Sequence, residues 1–195
     1  MEILRDTDPF SLFQSWLTDS EKNEINDPNA MALATVGDDG RPSVRMVLLK
    51  SADQRGFRFF TNMESRKGRE LAAHPVAALC FHWKSLQRQV RIEGDIIPLP
   101  ESEADAYFQS RHPQSRLGAW ASRQSREIDS RETLLSRVEE YKKEFGDQIP
   151  RPAYWGGYLL VPNKIEFWQQ GDFRLHDRFL FTRRDDQWDV ARLSP

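Results

Sequence analysis

The apolar residues of this chain come in short alternating runs, and turn-forming residues separate them. That spacing commits most of the chain to strands, because helices need longer runs of period 3.6. Residues 31–36 read as a strand, Asp38-Asp39-Gly40 as a hairpin turn, and 43–50 as the partner strand. Residues 56–61 form a third strand after the polar loop SADQR, and 76–83 with 87–97 form a further pair. Four more strands are expected at 157–161, 164–169, 174–183 and 188–193. Helices interrupt the meander. Asp8-Pro9 reads as an N-cap with Pro in the first turn, and Phe10, Phe13, Trp16 and Leu17 then mark one helical face suited to core packing. Residues 65–73, 101–110, 115–122 and 130–145 read as helices, and QIPRPAYW as a Pro-broken linker. The pattern predicts a mainly β chain with α decoration (α+β), arranged as an antiparallel barrel.

Composition narrows the partners. The 195 residues suit one domain over 1–195 with a full core, and residues 1–7 are expected to be flexible. The formal net charge is −2, so no global basic field points to nucleic acid, and the 28 Lys and Arg must act locally. No apolar run approaches the roughly 20 residues that span a bilayer. The acidic start MEILRDTDPF lacks a signal-peptide core. Cys80, alone and inside the apolar run VAALCF, reads as a buried structural thiol. Four scattered His offer no metal-binding pair, and neither usual nucleotide loop is present. A soluble cytoplasmic protein is expected, with no membrane or nucleic-acid partner.

Four stretches concentrate chemistry. In WQQGDFRLHDR (168–178), strand alternation after the turn at Gly171-Asp172 would put Arg174, His176 and Arg178 on one face. Three potential cations there repel one another unless an anion intervenes, although a solvated edge strand fits the spacing equally. Ser65-Arg66-Lys67 opens a helix, where a capping Ser, free N–H groups and two cations suit a phosphate, or simply a capped, solvated helix start. In RMVLLK (45–50), alternation sets Arg45 and Lys50 on opposite faces, so a bulge, a strand end or a second chain must bring both to one ligand. Tyr107 and Arg111 are spaced i, i+4 on one helix face, and Ser115 follows the Pro113 break as a possible cap. A neutral donor, a bidentate cation and a hydroxyl suit a phosphate monoester, and a surface helix end is the plainer alternative.

The wording of these stretches is more specific than their spacing. EFWQ (166–169) followed by RLHDR (174–178), ATVGDDGRPSVRMVLLK (34–50), FFTNMESRKGREL (59–71), LQRQVRIEG (86–94), YFQSRHPQSRLGAWAS (107–122) and RQS (123–125) resemble the pyridoxine/pyridoxamine 5′-phosphate oxidase family, in the family's order. The match runs from about Asp8 to Pro195. The resemblance implies an FMN-binding split β-barrel assembled as a homodimer. It implies oxidation of pyridoxamine and pyridoxine 5′-phosphates to pyridoxal 5′-phosphate, with O2 consumed and H2O2 released. Related flavin enzymes with phenazine-type substrates and non-catalytic flavin or pyridoxal-phosphate binders are the alternatives.

Residue by residue, the resemblance implies that Arg66 and Lys67 hold the FMN phosphate beside Thr61 and Phe60. Arg45, Met46, Val47, Leu48, Leu49 and Lys50 contact the cofactor, as do Gln89, Gln124, Ser125, Trp168 and Arg178. Lys50, Tyr107, Arg111 and Ser115 hold the substrate phosphate, and Arg174 and His176 face the reacting ring. The chain departs from the family at Phe60, where Tyr is common, and at Gln170, where Gly is common. Nothing before Asp8 resembles the Arg/Tyr-rich segment that many members carry.

Overall fold

The computed structural model describes residues 7–195. The expectation for the first seven residues therefore falls, but for Thr7, outside the described residues. The chain runs α1 (Pro9–Asn23), β1 (Ala30–Val36), β2 (Pro42–Leu48), β3 (Ser51–Asp53), β4 (Gly56–Asn62), α2 (Arg66–Ala73), β5 (Val76–Trp83) and β6 (Arg88–Pro98). It continues through α3 (Glu101–Ser110), α4 (Pro113–Ala121), α5 (Arg131–Phe145), β7 (Trp155–Gln169), β8 (Asp177–Arg184) and β9 (Gln187–Arg192). All the strand pairs are antiparallel, in the order β2-β1-β5-β6-β7-β4-β3, with β8 and β9 branching from β7.

The branch comes from β7, which was expected as two strands and is one of 15 residues. One of its edges pairs with β6. Its other edge pairs with β4 through Trp155–Leu160 and with β8 through Lys164–Gln169, so the sheet splits there. Pro162 made the sequence read as a break, because proline cannot donate to a ladder. It is tolerated at a bulge, where the β6 register shifts between Glu93 and Gly94. Gly94 is needed there, since a Cβ would lie 2.0 Å from the Val161 carbonyl oxygen.

The helix α1 seals one end of the barrel. Asp8 caps it by accepting from the Ser11 backbone N–H at 2.9 Å, as expected. Phe10, Phe13, Trp16 and Leu17 are all buried. Phe13 packs edge-on against Phe57 and Phe81 at 4.9 and 5.1 Å, and Trp16 against Phe167 at 5.2 Å. A second, smaller core joins Phe108, Leu117, Ile149 and Trp155 beneath the α3–α5 layer. Cys80 lies partly buried in β5, and burial raises its thiol above the ordinary range.

Four local expectations are corrected. Residues 174–176 are not strand. Asp172–Arg174 form one 3-10 turn with Phe173 and Arg174 both at positive φ, and β8 starts only at Asp177. The turn is closed by Leu175 N–H donating to the Asp172 carbonyl at 2.9 Å, so Arg174, His176 and Arg178 do not share a strand face. Arg111 is the C-cap of α3, in extended backbone, rather than a member of the helix. Ser115 does not cap α4: His112 does, its Nδ1 accepting from Gln114 N–H at 3.2 Å. The loop SADQR also contributes a short strand, β3.

Phe13 is fully buried, and truncating such a ring costs roughly 3–5 kcal/mol. Phe13→Ala should lower unfolding free energy by about that amount in urea denaturation. A loss below about 1 kcal/mol would mean that α1 does not seal the barrel.

Candidate active site

A cavity of about 1090 Å³ opens beside β2 and β4 and is walled by α2, α3 and α4. It gathers most of the residues singled out in the sequence. From β2 come Arg45, Met46, Val47 and Leu48, and Lys50 follows just past its end. The strand ends at Leu48, and Lys50 N–H donates to the Arg58 carbonyl at 2.9 Å. That strand end resolves the parity conflict between Arg45 and Lys50. Leu49 is buried in the main core instead, 3% exposed, because alternation turns it inward. Phe60 and Thr61 come from β4, Arg66 and Lys67 from α2, and Gln124 and Ser125 from the loop after α4.

Arg45 points along the wall. Ser43, Arg45 and Val47 oppose Thr35, Leu33 and Met31 of β1, so they share the core face of the sheet. The Arg45 guanidinium donates to the Leu33 carbonyl, the Thr35 and Ser43 hydroxyls and the Glu70 carboxylate, the last at 3.2 Å. Arg66 reaches the other Glu70 oxygen at 2.8 Å. Burial alone would raise the Glu70 carboxyl, but hydrogen bonds from Thr35, Ser43 and Arg66 and the charge of Arg45 hold it down at about 2. Lys67 is 8% exposed and donates to Thr61 at 3.1 Å, Ser65 at 3.2 Å and Gln124 at 2.7 Å. Burial, helped by the Arg45 charge, pushes its ammonium down to about 8. Ser65 caps α2 by accepting from Gly68 N–H at 3.3 Å. Three cations and one carboxylate thus meet at a helix N-terminus, which leaves surplus positive charge for an anion.

The opposite wall is a ladder of rings. Tyr107 stacks on Phe60 at 4.2 Å, and Phe60 on Trp155 at 5.5 Å. Lys50 Nζ lies 5.7 Å from the Tyr107 ring, and the Arg111 guanidinium 4.8 Å from the Trp155 ring. Arg111 Nη1 is buried without a hydrogen-bond partner. An orphaned guanidinium nitrogen in a cavity wall is costly unless an anion completes it. Ser115 lines the same wall from the first turn of α4.

The remaining residues lie elsewhere on the protomer. Gln89, Trp168 and Arg178 stand in one register row across β6, β7 and β8, on the sheet face opposite the core. Glu166, on the same face of β7 as Trp168, accepts from Arg178 at 2.8 Å and from Arg91 at 3.2 Å. His176 lies 4.7 Å from the Trp168 ring and accepts from Gly171 N–H through Nδ1 at 3.2 Å. Arg174 is exposed on the 3-10 turn. None of these five lines the large cavity. Val44, Met46 and Leu48 lie on that same outer face, 69%, 63% and 39% exposed, which is an apolar strip fit for burial.

Sequence reasoning missed Glu70, Trp155 and Glu166. Glu70 carried a signal, being i+4 from Arg66 on α2. Glu166 shares strand parity with Trp168. Nothing local marks Trp155.

Comparison with known proteins fixes the lineage. A family model described as pyridoxamine 5′-phosphate oxidase matches residues 17–144, and one described as the pyridoxine 5′-phosphate oxidase C-terminal dimerisation region matches 155–195. The chain belongs to the pyridoxamine 5′-phosphate oxidase family. It is 58% identical over 189 residues to the pyridoxine/pyridoxamine 5′-phosphate oxidase of Gluconobacter oxydans (strain 621H), covering 96% of this chain and 94% of that one. Among solved structures it is similar to PhzG from Burkholderia lata 383, in complex with tetrahydrophenazine-1-carboxylic acid. That likeness has a TM-score of 0.91 and 34% identity, over 100% of this chain and 99% of that one. A pyridoxamine 5′-phosphate oxidase-related, FMN binding protein from Nostoc punctiforme PCC 73102 shares the fold, with a TM-score of 0.77 and 20% identity over the whole of both chains. The split β-barrel expected from the sequence is therefore the fold of this oxidase family member.

The Lys67 ammonium titrates near 8 in the fold against 10.5 ordinarily. Between those values the unfolded chain holds a proton that the native one lacks, so stability rises with pH there, by up to about 1.4 kcal/mol per pH unit. The stability of the ligand-free oxidase relative to its Lys67→Met variant should climb between pH 8 and 10.5. Flat melting-temperature differences across that range would refute the depressed Lys67.

Proposed function

We propose that the protein is a cytoplasmic, homodimeric FMN-dependent oxidase that converts pyridoxamine 5′-phosphate and pyridoxine 5′-phosphate to pyridoxal 5′-phosphate, with O2 reduced to H2O2. The observation that carries the reading is one cavity lined by two groups of cations and hydroxyls, which we read as two anion grips. Arg45, Arg66 and Lys67 face one side, and Lys50, Tyr107, Arg111 and Ser115 the other. A phosphorylated cofactor beside a phosphorylated substrate needs such a pair. The family and the names of its curated members support the same chemistry.

The donor set suits FMN. Arg66, Lys67 and the α2 N-terminus would hold its phosphate, with Thr61 and Gln124 steadying Lys67. When bound, FMN would supply two-electron redox chemistry between the substrate's C4′ carbon and O2. The protein's own residues bind and orient. Arg111 completes its unpartnered Nη1 on the substrate phosphate, with Lys50, Tyr107 and Ser115 beside it. Amine oxidation leaves an imine that water hydrolyses to aldehyde and ammonia.

Arg174, His176, Gln89, Trp168 and Arg178 enter this reading from a second protomer. All five lie away from the cavity of their own chain: Gln89, Trp168 and Arg178 stand on the face that carries the apolar strip, His176 lies against the Trp168 ring, and Arg174 is exposed on the turn before it. The C-terminal match to a dimerisation region supports that assembly. Arg174 would stack on the pyridine ring and His176 would bond its 3-hydroxyl. A phenazine-type substrate is the second reading, favoured by the likeness to PhzG. A carboxylate would also complete Arg111, so the argument against it is the full set: Lys50, Tyr107 and Ser115 beside Arg111 offer more donors than a planar carboxylate needs.

Incubation with FMN, O2 and pyridoxamine 5′-phosphate should yield pyridoxal 5′-phosphate and H2O2 together, and no turnover would sink the proposal. Arg111→Ala should raise KM for that substrate about tenfold or more, the worth of a lost charge-assisted bond, while FMN content stays intact. Pyridoxamine itself should be a poor substrate that the change barely affects. Equal losses on both would make Arg111 structural.

A shared site also predicts complementation. Arg111→Ala and Arg174→Ala variants, assayed at substrate well below KM where each alone is weak, then unfolded together and refolded, should rise to about a quarter of wild-type activity, since about half the dimers are mixed and each has one intact site. Absence of recovery would place both residues in one chain's site.

A further inference from the structure

Glu70 does not line the cavity, yet its carboxylate gathers four hydrogen bonds beside it. It is 7% exposed. Its Oε2 accepts from Thr35, from Ser43 at 2.7 Å and from Arg45 at 3.2 Å, while its Oε1 accepts from Arg66 Nε at 2.8 Å. Thr35 is 1% exposed and belongs to β1, so the carboxylate is pinned to the core sheet rather than to its own helix. Arg66 is 59% exposed at its side chain and would otherwise swing freely. Arg45, Arg66 and Lys67 would also repel one another without a counter-charge.

We infer that Glu70 is the positioning residue of the cofactor-phosphate grip, fixing the Arg45 and Arg66 guanidinium groups through one core-anchored carboxylate. The inference rests on the flavin reading of the cavity. Its physical basis is pre-organisation: a cation already held in its bonding geometry loses less freedom when the anion arrives. Glu70 itself would repel a phosphate, so its value lies in geometry and not in charge. That distinction orders the variants. In Glu70→Gln the side-chain oxygen can keep the Thr35, Ser43 and Arg45 bonds, the amide NH2 cannot accept from Arg66, and the repulsion of the phosphate vanishes. In Glu70→Asp the charge survives, but the shorter side chain withdraws the carboxylate from both guanidinium groups. In Glu70→Leu all the acceptors are lost.

The test titrates flavin-free protein with FMN and with riboflavin, which lacks the phosphate, following flavin fluorescence. The wild type should prefer FMN strongly. Glu70→Gln, which keeps Arg45 fixed but frees Arg66, should lose only about threefold of that preference. Glu70→Asp and Glu70→Leu should each lose more than about tenfold of it, with riboflavin affinity changed less than about threefold. A merely structural Glu70 would instead weaken both ligands together. If Glu70→Leu does not fold, the Gln and Asp pair decides. Asp retaining the preference while Gln loses it would overturn positioning in favour of charge, and retention by every variant would remove Glu70 from the grip. A wild type that binds both flavins alike fails at an earlier step, because the cavity is then not a flavin-phosphate site.

Discussion

The structure depends on β7. Its 15 residues supply one ladder to β6 and divide the other between β4 and β8. A strand has only two edges, so one long strand serving three partners fixes the register of the whole sheet. The bulge where Gly94 faces Val161 and Pro162 lets the strand bend at the division. On one side of it, Trp155 leads into the ring ladder that ends on Arg111. On the other, Trp168 aligns Gln89 and Arg178. Both halves of the proposed site therefore hang from a single backbone element.

The cations of the cavity differ in how they are held. Arg45 is saturated by protein acceptors, Arg66 is tethered but largely exposed, and Lys67 is buried among neutral oxygens. Arg111 has ring faces beneath it and an unsatisfied nitrogen. Buried glutamates repeat as holders of arginine: Glu70 for Arg45 and Arg66, Glu166 for Arg91 and Arg178. Such a pairing removes rotamer freedom from long side chains before any ligand arrives.

Local patterns were legible where local physics decides. Alternation found the β1–β2 and β5–β6 hairpins, and the Asp8 and Ser65 caps follow from residue type. The failures were non-local. Pro162 hides the continuity of β7, because the bulge that excuses it involves Gly94, 68 positions earlier. Positive φ at Phe173 and Arg174 is not written in their residue types, so the turn expected at Gly171-Asp172 runs further than the sequence indicates, through residues 174–176 that pattern as strand. His112 took the cap that Ser115 was expected to make. In the cavity, the cations and the Thr61, Ser65 and Gln124 oxygens around Lys67 could be named from the sequence, but the partners of Arg45 and Arg66 could not. Thr35, Ser43 and Glu70 meet only because β1, β2 and α2 pack together.

The outward row of β2 has a consequence for handling the protein. β2 is an edge strand, paired only with β1, and its outer face carries Val44, Met46 and Leu48 without an intervening charge. Edge strands of this kind are templates for indiscriminate β-pairing, which most proteins block with Lys, Pro or a bulge. Here Pro42 blocks only the first position. Left uncovered, that row and the free edge of β2 favour pairing with another chain. Refolding at high concentration becomes a race between correct covering and precipitation.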